Sequence, residues 1–258
     1  MPRHVRCLAA CAALPLLLAA APAAAQVNVE PLRQQLSEDG LGGRVQASVA
    51  GYAGNTDGVV LGSGAFVGWR GSRHVAYAVL TGDYTKLNGE VSVAKWFAHL
   101  RHNYRLLPWL FWEEYAQIDS DRFRRVTLRQ LLGTGPRFQL LDSETAQLFY
   151  GASYMYEHTQ LASDTENERG QGSAHRFSNY LAVTVRCDER ISLSSVAYVQ
   201  PRFDRPADLR VLSVSSADFT ITDRLHSRLD VVVRYGSRVP PDIERADLEL
   251  KNSLEILF

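Results

Sequence analysis

An antiparallel transmembrane β-barrel of about twelve strands is the fold class this sequence predicts, and three observations carry the prediction. The chain ends on a run, residues 245–258, in which Ala246, Leu248, Leu250, Leu254, Ile256 and Phe258 alternate with Arg245, Asp247, Glu249, Lys251 and Glu255. Successive side chains of a strand point to opposite faces, so one face of this strand suits lipid and the other suits water. At the other end, Arg3 and Arg6 precede an apolar run from Leu8 to Ala20 and the small residues Ala23, Ala24 and Ala25. That is the pattern of a secretory signal cut before Gln26. Between the two ends, period-two runs of about ten to thirteen residues recur between turn formers, and their number is even, as bacterial single-chain barrels require.

The organisation follows: a signal peptide over 1–25, a polar periplasmic lead over 26–43 with one short helix over Pro31 to Glu38, and a barrel over 44–258. The strands read in order as 44–54, 57–70, 73–84, 89–104, 109–120, 123–135, 145–159, 175–187, 191–201, 208–220, 225–237 and 245–258. The later ones alternate most clearly. In the eighth, Phe177, Leu181, Val183 and Val185 alternate with Arg176, Ser178, Tyr180, Thr184 and Arg186; in the eleventh, Leu225, Leu229, Val231, Val233 and Tyr235 alternate with His226, Arg228, Asp230 and Arg234. Arginine recurring opposite Leu and Val is natural in a hydrated lumen. Aromatic residues near strand ends, among them Trp69, Trp96, Trp109, Trp112 and Tyr150, fit interfacial girdles. With the N-terminus in the periplasm, the long connections 160–174, 202–208 and 238–244 fall outside, and the tight turns 70–73, 188–190 and 222–224 fall inside. Residues 136–144 read as a longer inner connection. Gly40 to Gly43 and Gly133 to Gly135 read as strand-end glycines.

Composition excludes several classes. The chain has 28 basic and 28 acidic residues, and loss of Arg3 and Arg6 leaves a net charge of about −2, which argues against a nucleic-acid partner. Mean hydropathy is −0.16. No later stretch approaches about 18 consecutive apolar residues, so no transmembrane helix is expected, while a barrel needs apolar residues only at alternate positions. Of three cysteines, Cys7 and Cys11 leave with the signal, so Cys187 cannot staple the fold.

The centre of the chain, from Trp96 through Phe111 to Gly135, resembles the family of unknown function 481, on Glu114, Asp119, Arg122, Arg129, Gly133 and Gly135. Members of that family are described as salt-induced outer-membrane proteins. The resemblance implies a barrel in the bacterial outer membrane and carries over no catalytic residue. The last strand also resembles the C-terminal assembly signal of bacterial barrels, with Lys251, Ser253, Ile256 and Phe258 in its four positions and Ser253 where glycine is commonest. The partners it implies are outer-membrane lipid, lipopolysaccharide and the barrel-assembly machinery, for a monomer.

Candidate chemistry is sparse, and no catalytic, cofactor-binding or metal residue is assigned. Adjacent Glu113 and Glu114 point to opposite faces and cannot act as an acid/base couple; the inner one is expected to pair with Arg125 or Arg129. His99, Arg101 and Asn103 share a face with Lys95, which suggests a lipid hydrolase, yet no serine stands at a suitable spacing, and His158, His175 and His226 read as isolated. Asp119, Asp121, Asp164, Glu166 and Glu168 are solvated carboxylates more readily than a metal cage. What remains is collective: a charged inner wall formed by Arg125, Arg129, Arg186, Arg228, Asp230, Arg234, Asp247, Glu249 and Lys251. A barrel of this size is narrow. The wall therefore has two readings, a plugged, charge-zippered scaffold and a small pore that opens as salt screens the pairs. The competing fold is a soluble periplasmic barrel whose apolar faces meet one another.

Overall fold

In the computed structural model, the described residues are Leu36, 39–52, 58–122, 124–162, 171–239 and 244–257. The signal segment, nearly all of the lead including the expected helix, and Phe258 lie outside them. The described residues form twelve strands: β1 (Gly40–Tyr52), β2 (Gly58–Arg70), β3 (His74–Leu87), β4 (Glu90–Leu107), β5 (Leu110–Asp121), β6 (Val126–Asp142), β7 (Ala146–Leu161), β8 (Gly172–Arg186), β9 (Ile191–Pro201), β10 (Leu209–Thr220), β11 (Leu225–Gly236) and β12 (Ala246–Leu257). Each pairs antiparallel with its sequence neighbour, and β1 pairs with β12 to close the barrel. The connections after even strands are short. Those after β7, β9 and β11, which leave from the opposite end of the strands, are longer.

Alternation places the two faces as the period-two pattern requires. Along β8, Ala174, Arg176, Ser178, Tyr180, Ala182 and Thr184 are buried inward, while Ser173, His175, Phe177 and Leu181 are exposed outward. Leu80, Leu100, Leu132, Leu248 and Leu250 are likewise exposed on the outside. No second layer of the described residues covers them. The competing fold needed these faces to meet, and they point away from one another.

Local chemistry explains several strand ends. Asn88 and Gly89 both have positive φ, the geometry of the two-residue hairpin turn that links β3 to β4. Arg125, with φ of 58°, turns the chain into β6. Two expectations are corrected at β6 and β1. Residues 136–142 belong to β6, so the inner connection shrinks to 143–145. Pro136 is tolerated because it faces Trp112 on β5, while the ladder to β7 breaks between Thr134 and Arg137, where the missing N–H is not needed. β1 starts at Gly40, four residues before the expected boundary, so Gly40 to Gly43 are strand residues.

The mid-strand glycines have a packing cause. Gly133 lies opposite Tyr115 and Gly151 opposite Tyr180, and in each pair the tyrosine ring occupies the space a Cβ would need. Tyr180 is almost fully buried, so it cannot yield cheaply. Gly151→Val should therefore destabilise the barrel by about 1–3 kcal/mol, read as a lower denaturant midpoint for the heat-modifiable gel band. Adding Tyr180→Ala should recover part of the loss.

Candidate functional site

The inward side chains form the one extensive polar site among the described residues, and it is layered along the barrel axis. At the short-turn end, Leu36 from the chain before β1 is buried against Phe66 and Tyr77. Its side chain fills the space left by Gly42 and Gly68, and its carbonyl accepts a hydrogen bond from Arg70 Nε. Here Arg44 on β1 pairs with Glu255 on β12.

The middle layer is a constriction. Arg101 on β4 faces Glu113 on β5 at 3.5 Å, and the Tyr180 hydroxyl donates to the same carboxylate oxygen at 2.8 Å. Arg137 on β6 donates to the Tyr180 hydroxyl at 2.8 Å, with its guanidinium 3.9 Å from the centroid of the Phe149 ring. Arg101 lies 4.9 Å from the Tyr115 centroid. These four polar side chains are at most 2% exposed. Two guanidiniums thus share one carboxylate, and the aromatic faces carry part of the second positive charge. Removing one member would leave a charge buried without its counterpart.

A second lattice lies nearer the long connections. Arg129 forms a fork with Asp119 at 2.8 and 3.2 Å, and Gln117 also donates to Asp119. Arg176 binds Glu157 at 2.9 Å and Asp208 at 3.0 Å, while Arg210 also reaches Glu157. Paired guanidinium and carboxylate forks of this kind hold fixed geometry.

Beside this lattice, at the same end, is a chamber of about 140 Å³, open in part to solvent. Its lower wall is apolar, with Phe66, Val79, Phe97, Val214 and Val232. Its upper wall is charged. Glu249 binds Lys95 at 2.9 Å and Arg234 at 2.7 Å, and Lys251 binds Asp83 at 2.6 Å; below Val232 on the same strand, nearer the short-turn end, Arg228 binds Asp230 at 2.8 Å. Arg124, in the turn before β6, pairs with Asp247. Burial pushes the Arg124 pKa down, and Asp247 pushes it back up.

Most of the sequence-derived wall is thus in one place. Arg129, Arg228, Asp230, Arg234, Asp247, Glu249 and Lys251 all point inward and are ion-paired. Two members are corrected. Arg125 occupies the turn with positive φ and Arg124 takes the inward place, while Arg186 shares the inward parity of β8 but sits exposed at its end. The partner expected for Glu113 is also corrected: it is Arg101, because Arg129 is engaged by Asp119. Arg137 was missed because Pro136 disguised its strand. Asp83, Asp208 and Arg210 were missed because their partners lie on strands remote in sequence. Of the assembly signal, Lys251 and Ser253 face inward and Ile256 outward, and Phe258 lies outside the described residues.

Of the histidines, His99 faces the lumen, packed between Phe97 and Tyr115. His158 is not isolated: its Nδ1 lies 3.0 Å from Ser173 Oγ on the outer wall, where Tyr156 also reaches that serine at 2.9 Å. Gln130, an amide where a triad would have an acid, stands opposite His158 on β6. His175 meets the Tyr154 hydroxyl at 2.5 Å. Among the carboxylates weighed as metal ligands, Asp119 is held by Arg129, and Asp164, Glu166 and Glu168 lie outside the described residues.

A closed antiparallel sheet with charged interior and apolar exterior defines a transmembrane β-barrel of twelve strands. The chain belongs to the family described as "Protein of unknown function, DUF481", whose model matches residues 45–258. Similar solved structures include "NanC porin structure in rhombohedral crystal form", at 8% identity and TM-score 0.46, covering 84% of this chain and 97% of that one. The "Translocator domain of autotransporter NalP from Neisseria meningitidis" is 10% identical with TM-score 0.42, covering 88% and 93%. A "Bacterial polysaccharide outer membrane secretin" is 9% identical with TM-score 0.41, covering 85% and 98%. No curated protein matches the chain.

The constriction makes an asymmetric demand. Glu113→Ala should cost about 3–5 kcal/mol by stranding the buried arginines. Arg101→Met should cost less, because Arg137 still balances the Glu113 charge through the Tyr180 hydroxyl. Urea midpoints of the folded gel band measure both.

Proposed function

We propose that this protein is an integral barrel of the bacterial outer membrane, closed at rest, with a structural role and no covalent chemistry. The observation that carries the reading is the constriction, where Arg101, Glu113, Arg137 and Tyr180 are almost fully buried inside the barrel and bond to one another. The membrane setting is supported by the exposed apolar residues outside and by exterior aromatic stacks such as Trp109, Phe138 and Tyr150, successive centroids 6.2 Å apart. The protein sits there as a monomer in contact with lipid and lipopolysaccharide, and the assembly machinery takes it up by its terminal strand.

A second reading, the narrow salt-responsive channel, is favoured by the chamber. Screening length falls from about 10 Å at 0.1 M salt to about 3 Å at 1 M, and buried pairs feel this least. Ionic strength therefore acts on the pairs of Glu249 and Lys251, whose side chains are 27% and 19% exposed, and leaves the buried constriction shut. In planar bilayers the wild-type barrel should show no steady conductance at either salt concentration. Tyr180→Ala, which removes the hydroxyl joining Arg137 to Glu113 and the ring beside Arg101, should conduct. Steady wild-type current that grows more steeply with salt than the bulk solution does would establish the channel instead.

The outer-wall contact of Ser173 with His158 is the arrangement to test for acyl chemistry. The purified barrel should release no fatty acid from phospholipid and should not react with a fluorophosphonate. Labelling that is lost in Ser173→Ala would make the protein a hydrolase.

A further inference from the structure

Backbone pairing closes the barrel over a short seam. Among the described residues only Arg44 to Ala47 of β1 pair with Leu254 to Leu257 of β12. Elsewhere β1 is paired with β2 from Gly40 to Tyr52, and β12 with β11 from Ala246 to Ile256. Continuing the seam's register would set Ser48 against Ser253 and Val49 against Asn252, yet the ladder stops before them. Toward the long-connection end, one edge of each strand therefore faces the other without ladder bonds. An open edge is costly in hydrocarbon, where nothing else satisfies its N–H and C=O groups.

Charge spans this gap where backbone does not. Lys251 on β12 reaches over to Asp83 on β3, and Glu249 on β12 reaches to Lys95 on β4. Immediately inside lies the chamber, whose lining includes Gln46, Gly64, Glu249 and Lys251. On β2, across β1 from the gap, Gly62 and Gly64 present no side chain of their own, and the space over them is taken by Ser48 and Gln46 of β1, the two polar side chains that stand between the gap and the chamber. On the outer wall flanking the seam, Val49, Leu248 and Leu250 are 77%, 74% and 69% exposed.

We infer that the β1–β12 seam is a lateral passage from the membrane into the chamber, and that its occupant is a membrane amphiphile with an acidic headgroup. The acyl chain lies on the apolar wall of Phe66, Val79, Phe97, Val214 and Val232. The headgroup sits among Lys95, Arg124, Arg234 and Lys251, exchanging with their carboxylate partners, and its oxygens accept from the N–H groups of the open edge. The chamber needs no opening below, so the passage is compatible with the closed constriction. This inference rests on the membrane reading above.

The test uses the full chain in liposomes doped with phosphatidylglycerol that carries a photoreactive diazirine on its acyl chain. Cross-links are mapped by peptide mass. Outward residues such as Leu100, Leu132 and Leu250 should label in any membrane-embedded barrel. The inference requires labels also on inward Phe66, Val79, Phe97 or Val232, which alternation separates from the lipid wall. Gly64→Trp, which fills the chamber beside the seam, should abolish the inward labels and spare the outward ones, with the heat-modifiable band as the folding control. Lys251→Gln should lower inward labelling by roughly tenfold, the effect of a one-decade loss of affinity. Labels confined to outward residues would overturn the passage and leave the membrane reading standing. Equal inward labelling by a phosphatidylcholine probe would overturn the acidic headgroup, and no labels at all would overturn passage and membrane reading together.

Discussion

Closure of a narrow sheet on itself is the constraint on which everything else here depends. Twelve strands form a ring so tight that every second side chain is forced into shared interior space. Those side chains include a large stock of arginine and carboxylate, so the barrel is stable only if each inward charge meets an opposite one on another strand. Buried pairs gain little net energy, but breaking one is expensive. The lumen is therefore a jointly determined lattice, and its layers follow from which strands bring charge to the same height.

The layers differ in what they can do. At the constriction, two arginines, one glutamate and three aromatic rings are almost fully buried, and the Gly133 and Gly151 backbones lie under the Tyr115 and Tyr180 rings. In the chamber the same chemistry is looser. The pairs there are partly exposed and open toward the long-connection end, and the apolar residues below them are not filled by a side chain from the opposite wall. Rigidity and adaptability are thus divided along one axis. The seam lies beside the adaptable part.

Alternation made much of this legible. The run from Leu225 to Tyr235 and the run to Phe258 announce their two faces residue by residue, because a side-chain period of two survives any change in what lies across the sheet. For the same reason Arg228, Arg234, Glu249 and Lys251 could be assigned to the lumen directly. Local signals failed where a rule had a tertiary exception. Pro136 looked like a turn because a proline cannot donate to a ladder, and only the break in pairing with β7 shows why it is accepted. Arg125 looked inward by counting, until its positive φ handed that place to Arg124.

By itself, then, the sequence determined the class, the even strand number, the two faces of most strands and part of the charged wall, since all of these follow from periodicity and turn chemistry within a few residues. Only the tertiary structure decided partnership. Glu113 with Arg101, Lys251 with Asp83 and Ser173 with His158 depend on strand register and stagger, which set which residues share a height around the ring. The length of the β1–β12 seam was decided the same way. It joins the first strand to the last, and no local run of residues encodes how far two such distant edges stay paired.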